Sequence, residues 1–173
     1  MHHYSLEIFN TDFRWVCLLW ENDTLARLTF YHDTATDAKA IVETEIEQSV
    51  RLQKNTTPLA LSLTKYAAGE RISFCDIPTC AARTRFQQKV LARCQLIPYG
   101  CTMTYGEIAK QVGHPGAARA VGGVMRANNC PLVVPCHRVL GSNGKLTGFS
   151  AGTGLDLKQR LLQMEGINQE FVF

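Results

Sequence analysis

Val133-Val134-Pro135-Cys136-His137-Arg138-Val139 is the stretch on which the reading of this chain turns. Its β-branched, apolar flanks predict a buried strand running into a fixed turn. Proline sets its own φ and pushes Val134 towards extended geometry, so the backbone at Cys136 is held. A thiol on a rigid, buried turn is either inert packing or a nucleophile. His137 and Arg138, one able to become positive and one always positive, favour thiolate over thiol. Successive strand residues face opposite sides, so His137 reaches Cys136, directly or through a water, only if the chain turns there.

Upstream, Thr84-Arg85-Phe86-Gln87 has the form of a capping box, and Phe86, Val90, Leu91 and Cys94 continue it as an apolar helical stripe that Pro98-Tyr99-Gly100 ends. Thr104-Tyr105-Gly106-Glu107 is a second capping box, which puts Tyr105 at the first helical position; Gly113 and Pro115 stop that helix. A further helix over Gly116–Asn128 completes a helix-turn-helix pattern. Gly122 and Gly123 sit in its middle, where each costs about 1 kcal/mol relative to alanine. With Gly116, Ala117, Ala118 and Ala120 they make a smooth helix. Such a surface suits either tight packing against another helix or insertion into a narrow DNA groove. Arg119 and Arg126 are seven residues apart and share a face, and Arg126 suits phosphate contact.

Downstream, Gly141–Gly152 reads as a loop carrying Phe149 and Ser150. Leu155–Glu165 is the last helix, burying Leu157, Leu161, Leu162 and Met164. Glu165 stands at its C-terminal end before the stop Gly166, where a carboxylate opposes the helix dipole by a few tenths to about 1 kcal/mol. A charge so placed marks a site or a surface accident.

The N-terminal part reads as a small α/β unit. Tyr4, Leu6 and Ile8 alternate with polar residues, and Phe13–Trp20 and Leu25–Tyr31 follow, the last two separated by Glu21-Asn22-Asp23-Thr24. The pattern predicts an antiparallel meander. A helix is predicted over Thr36–Val50, with Ala38, Ile41, Val42 and Val50 inward and Glu43, Glu45 and Glu47 outward. Lys54–Pro58 is a polar break, Pro58–Gly69 a second helix, and Ile77–Ala81 the end of a linker. His2, His3, Cys17 and His32 are irregularly spaced, without the paired pattern of a metal site, so no metal is expected.

Composition bounds the classes. The 173 residues suit one large domain or two small ones, and 46% hydrophobic residues can build a core. No apolar run approaches the roughly 18 residues of a membrane span. Met1-His2-His3-Tyr4 lacks the regions of a signal peptide. Seven cysteines, an odd number without a close pair, fit reduced thiols in a cytosol. The net charge of +3 conceals an asymmetry. Residues 1–82 hold seven basic and eleven acidic side chains, whereas residues 83–173 hold eleven basic and four acidic. A cationic half joined to an acidic one points to a polyanionic partner such as nucleic acid.

The motifs together resemble one family. PCHRV (residues 135–139) is similar to the active-site signature of the O6-alkylguanine-DNA alkyltransferases, or methylated-DNA–cysteine methyltransferases. Thr104–Ala109 resembles that family's tyrosine-bearing helix start. Gly116–Asn128 resembles its DNA-binding helix and the asparagine after it. Gly148-Phe149-Ser150 and Leu161–Gly166 resemble its substrate loop and final helix. The resemblance is close over residues 84–166 and loose over 1–83. It implies an α/β protein of two domains. Residues 1–82 would form a small N-terminal antiparallel-sheet, ribonuclease-H-like scaffold. Residues 83–173 would form a mainly helical, winged helix-turn-helix-like domain that binds DNA and carries the alkyltransferase site.

The resemblance also implies roles. An alkyl group leaves O6 of guanine, with O4 of thymine a further candidate, and stays irreversibly on Cys136, one turnover per molecule. Glu165 orients His137, which acts through a water as base for Cys136. Tyr105 donates a hydrogen bond to a ring nitrogen of the leaving base. Asn128 braces the turn that carries the thiol. O6 lies within the stack and the base pair, so the nucleotide must be extruded, at a few kcal/mol. Arg119 fills the space it leaves, while Ala118, Gly122 and Arg126 complete the DNA face. Met125, Val139, Phe149 and Ser150 line the pocket. The implied partner is double-stranded DNA carrying O6-alkylguanine, bound through the minor groove by a monomer, with no cofactor and no membrane. The setting is the cytoplasm, or the nucleus in a eukaryote. Three positions depart from the family: Leu91 stands near a frequent tryptophan, Asn129 replaces the proline that usually follows the asparagine, and Phe149 replaces a frequent tyrosine. Two other classes compete: a non-catalytic lesion-binding protein, and a cysteine hydrolase built on Cys136 and His137.

Overall fold

The computed structural model describes residues 3–44, 50–53, 56–80 and 84–168. The chain divides into two compact units, Met1–Ile72 with Asp76–Cys80, and Ser73–Cys75 with Ala81–Phe173. The boundary expected near residue 82 falls outside the described residues.

In the first unit β1 (Tyr4–Thr11), β2 (Arg14–Glu21) and β3 (Thr24–His32) form the antiparallel meander that the alternation predicts. A short β4 (Arg51–Leu52) adds to β1 in parallel, giving the order β3-β2-β1-β4. Helix α1 (Ala35–Glu43) starts where the Thr34 side chain accepts the Asp37 N–H, and its Ala38 and Val42 pack on Leu6, Cys17 and Leu19. This helix is shorter than the pattern suggests. Thr44 caps it, and Val50 reaches the same cluster from beyond its end. Ile41, expected inward, is 41% exposed, because the i, i+4 pair Ala38 and Val42 fixes the inner stripe. Glu45 and Glu47 lie outside the described residues. Helix α2 (Pro58–Ala67) begins at the Thr57 cap with Pro58 at its first position, and Gly69, at φ +89°, ends it. Buried Glu7 of β1 accepts from the Thr57 N–H at 2.7 Å and hydroxyl at 2.6 Å, which pins the helix start to the sheet. Leu25 and Cys80 exchange backbone bonds with the expected linker: Leu25 N–H donates to Pro78, and Cys80 N–H to Leu25. Among the described residues, no group of three or more His, Cys, Asp or Glu side chains gathers.

The second unit contains α3 (Arg85–Gln95), β5 (Met103–Thr104), α4 (Tyr105–Gln111), α5 (Ala118–Arg126), β6 (Val139–Leu140) and α6 (Leu155–Met164). Both predicted capping boxes form, Thr84 with Gln87 and Thr104 with Glu107. Helix α4 ends in a double reversal: Gly113 N–H bonds to Lys110 and His114 N–H to Ala109, with Gly113 at φ +86°. That stop turns the chain into α5, whose Val121, Val124 and Met125 face the core. β5 pairs in parallel with β6, Met103 with Val139 and Thr104 with Leu140, and so sets the start of α4 beside the residues that follow Cys136.

Candidate active site

The segment before Cys136 is a turn and not the predicted strand. Leu132 adopts φ +70°, and Val134 N–H closes on the Cys130 carbonyl at 2.8 Å. Pro135, at φ −78° and ψ 66°, is the centre of an inverse γ-turn, with Cys136 N–H on the Val134 carbonyl at 2.7 Å. With its donors closing locally and Pro135 lacking one, the run cannot join a sheet. Cys136–Arg138 then make one turn of 3-10 helix, which places consecutive side chains about 120° apart. Cys136 and His137 are thereby freed from the opposite-face geometry of a strand.

Asn128 holds this turn from the end of α5. Its Nδ2 donates to the Val134 carbonyl at 2.9 Å, and its Oδ1 accepts the Cys130 N–H at 3.0 Å. Asn129, where the resemblance leads one to look for proline, does not prevent these bonds. Cys136 is 8% exposed. Burial pushes its thiol up; a hydrogen bond from Asn128, the charge of Lys158 and the N–H groups of Cys136 and His137 pull it back.

His137 and Glu165 meet in the interior, Nε2 to Oε1 at 2.9 Å, with both side chains fully buried. Gly166, at φ +83°, ends α6 and helps set Glu165 there. The carboxylate also takes Arg138, which donates from Nε at 2.9 Å to Oε2 and from Nη2 at 2.8 Å to Oε1, and the Gly100 N–H at 3.2 Å. Arg138 Nη1 donates to the Ile97 carbonyl at 2.6 Å. Burial works against an ionised Glu165, but the bonds and charges of His137 and Arg138 outweigh it and hold the carboxyl well below its usual range. Burial lowers His137 despite the carboxylate. The resting pair is therefore a neutral imidazole donating Nε2–H to a carboxylate.

Two participants escape the sequence reading. Arg138 registers there only as a charge beside the sulfur. Lys158 is fully buried, with Nζ donating to the Val139 carbonyl at 2.6 Å and the Thr147 carbonyl at 2.9 Å. Burial lowers its ammonium to about 8. A signal existed: Lys158 falls in the stripe of Leu161, Leu162 and Glu165 at i+3, i+4 and i+7.

A groove of about 1140 Å³ lies between the start of α4, α5 and the Gly141–Ser150 loop. It brings together Tyr105, Ala118, Arg119, Gly122, Arg126, Phe149 and Ser150. Arg119 and Arg126 are exposed. Met125 and Val139, expected to line the pocket, do not: Met125 lies on the apolar inner face of α5, and Val139 is wholly buried in β6. Cys136, too, is not among the lining residues. The Tyr105 hydroxyl donates to the Thr147 carbonyl at 3.1 Å, and burial raises its pKa. The glycines of α5 are not demanded by internal packing. A Cβ on Gly123 would meet nothing within 4 Å, and one on Gly122 would make ordinary contact with the Tyr105 ring at 3.9 Å.

Residues 85–167, which hold this whole arrangement, match the sequence model of the 6-O-methylguanine DNA methyltransferase DNA binding domain. A methylated-DNA–protein-cysteine methyltransferase of Methanosarcina acetivorans is 51% identical over 60% of this chain and 65% of its own length, so this chain's match spans less than two thirds of that relative. The constitutive methylated-DNA–protein-cysteine methyltransferase of Bacillus subtilis is 40% identical over 86% of this chain and 87% of its own. The crystal structure of Mycobacterium tuberculosis OGT in complex with DNA superposes with a TM-score of 0.75 at 34% identity, over 94% of this chain and 93% of that one. With both units matched in sequence and in fold, and the buried Cys-His-Glu constellation in the shared part, this chain belongs to the methylated-DNA–protein-cysteine methyltransferase family.

Proposed function

We propose that the protein repairs alkylated DNA by direct reversal, moving the alkyl group from O6 of guanine to Cys136. The observation that carries this is the 2.9 Å pair of His137 with Glu165 next in sequence to Cys136, in the unit whose cationic groove is walled by a smooth helix and by Tyr105, a side chain that feels the Cys136 sulfur. The thiol proton passes through a water to His137, and Glu165 stabilises the imidazolium. The Cys136 thiolate attacks the alkyl carbon, an S–C bond forms, and the C–O bond breaks with its electron pair left on the base. Tyr105 turns its hydroxyl from Thr147 to a ring nitrogen and eases that departure. A proton then restores guanine. A thioether is a poor leaving group, so each molecule acts once, and no cofactor is needed. O4 of thymine is a second acceptable donor.

Supporting this reading, the DNA complex of the M. tuberculosis relative supplies the partner class. The duplex is bound through its minor groove, where a shallow helix gains little sequence readout and needs none. Ala118 and Gly122 allow close approach, Arg126 contacts phosphate, and Arg119 enters the stack as the nucleotide leaves. Phe149 stacks on the flipped base and Ser150 bonds its O6 oxygen. The protein works as a monomer in the compartment that holds DNA, the cytoplasm of a prokaryote or the nucleus of a eukaryote; none of its described helices is long and apolar enough to cross a membrane.

The test is intact mass and peptide mapping after incubation with duplex DNA carrying O6-methylguanine. One added methylene on Cys136, saturating at one per protein with guanine restored, is the expected result. No mass change with tight binding of the same duplex leaves lesion recognition without repair. Repeated turnover of an ester substrate points instead to a hydrolase.

A further inference from the structure

Lys158 is a cation buried in an apolar helix face, and among the described residues its ammonium pairs with no carboxylate. It spends its hydrogen bonds on two main-chain carbonyls, Val139 and Thr147. Val139 follows the nucleophile turn in β6; Thr147 lies in the loop that brings Phe149 and Ser150 to the groove. The Thr147 carbonyl is also the acceptor of the Tyr105 hydroxyl. Two donors therefore share one oxygen, one from the reaction site and one from the core. A carbonyl oxygen has two lone pairs, so it remains satisfied if one donor departs and the other stays. The charges around Lys158 agree with this placement: Cys136 and His137 in the nucleophile turn and Cys94 in α3 all feel it.

We propose that Lys158 is a positioning residue for the alkyl transfer: it keeps the Thr147 carbonyl, and with it the Phe149–Ser150 loop, in place while Tyr105 turns its hydroxyl from that carbonyl to the base. The inference rests on the alkyltransferase reading above. Without Lys158, every departure of Tyr105 leaves a loop carbonyl with no donor, and the loop moves to find one. Lys158 touches neither substrate nor sulfur in this role, and it acts through Thr147.

The experiment is single-turnover methyl transfer from a duplex containing O6-methylguanine, with fluorescence anisotropy on the undamaged duplex measured alongside. Lys158→Met is expected to slow transfer about 30- to 100-fold, the scale of a misplaced reacting group, while binding of undamaged duplex stays within about twofold. Lys158→Arg, which keeps cationic donors, returns the rate to within about fivefold. Tyr105→Phe is slow by itself, and adding Lys158→Met to it strips the Thr147 carbonyl of both donors at rest, so the double variant loses more stability in urea than the two single variants together. A lysine that does not share that carbonyl with Tyr105 gives stability losses that simply add. Should the methionine variant fail to fold by circular dichroism, Lys158→Gln, which retains an amide donor, takes its place in the same cycle. Wild-type rates in the lysine variant, or stability losses that merely add with Tyr105→Phe, overturn the inference. If wild-type protein leaves the methyl group on the DNA, the alkyltransferase reading falls with it, and the two failures are thus told apart.

Discussion

Replacing Glu165 by Gln tests more than the orientation of a histidine. The carboxylate serves His137, Arg138 and Gly100 together, so the variant leaves a buried guanidinium without its counter-charge. Removing one partner of a buried ion pair costs about 3–5 kcal/mol, and urea denaturation should show a loss of that size along with slowed transfer. The pH dependence follows from the same residues. Folded His137 sits below its ordinary value, so below about pH 6.5 the unfolded chain takes up a proton that the folded chain refuses. Stability then falls with pH, by up to about 1.4 kcal/mol per unit for one group. Glu165 is held well below the usual carboxylate range, so its contribution is full above about pH 4.3 and drains away as acid is added beyond that. Urea midpoints should decline from pH 7 to 5 and more steeply below 4.3, and Glu165→Gln should shrink the second phase, leaving the part that Glu107, lowered by its Thr104 bonds, contributes. The meeting of His137 with Glu165 was legible through the family resemblance, which quotes PCHRV and the end of the last helix together. Arg138 and Lys158 were not, because a charged side chain is solvated far more often than buried, and only the fold shows where its carbonyl or carboxylate partners wait.

Among the elements, α5 yields the most direct test. A glycine in a helix interior that no neighbour demands is a stability cost without an internal reason, and Gly123 has open space where a Cβ would go. Gly123→Ala should raise stability by roughly 1 kcal/mol in thermal or urea unfolding, through helix propensity. The same variant should weaken duplex binding, since the methyl group stands on the groove side; unchanged binding would show that the glycine serves something other than close approach to DNA. The helix starts were legible because Thr84, Gln87, Thr104 and Glu107 form local, self-contained bonds. The strand expected at Val133–Val134 was not, because β-branched residues satisfy either a sheet or a buried turn, and the deciding contacts come from Cys130 and Asn128. The helix expected over Thr36–Val50 overshoots for a similar reason: Val50 joins the apolar cluster without belonging to α1.

For the whole molecule, the uneven charge of its two parts sets how it should respond to salt. Affinity for undamaged duplex should fall linearly on a log–log plot against salt concentration as phosphate contacts release counterions. Arg126→Ala should flatten that slope by about 0.9, the share of one phosphate contact; an unaltered slope would place Arg126 away from the backbone. The charge contrast and the two-part organisation were both visible in composition, because an acidic α/β pattern gives way to a basic helical one. The route between the parts was not, since it depends on pairings distant in sequence. After Ile72 the chain gives Ser73–Cys75 to the second unit, returns Asp76–Cys80 to the first, and only then crosses for good. Phe74 receives a bond from Gln95 at 3.0 Å, while Leu25 is bonded to Pro78 and Cys80 on the other side. A protease or a recombination event that severs the chain after Ile72 takes a strap from the first unit, and one that severs it after Cys80 takes a strap from the second, so no single break yields two whole pieces.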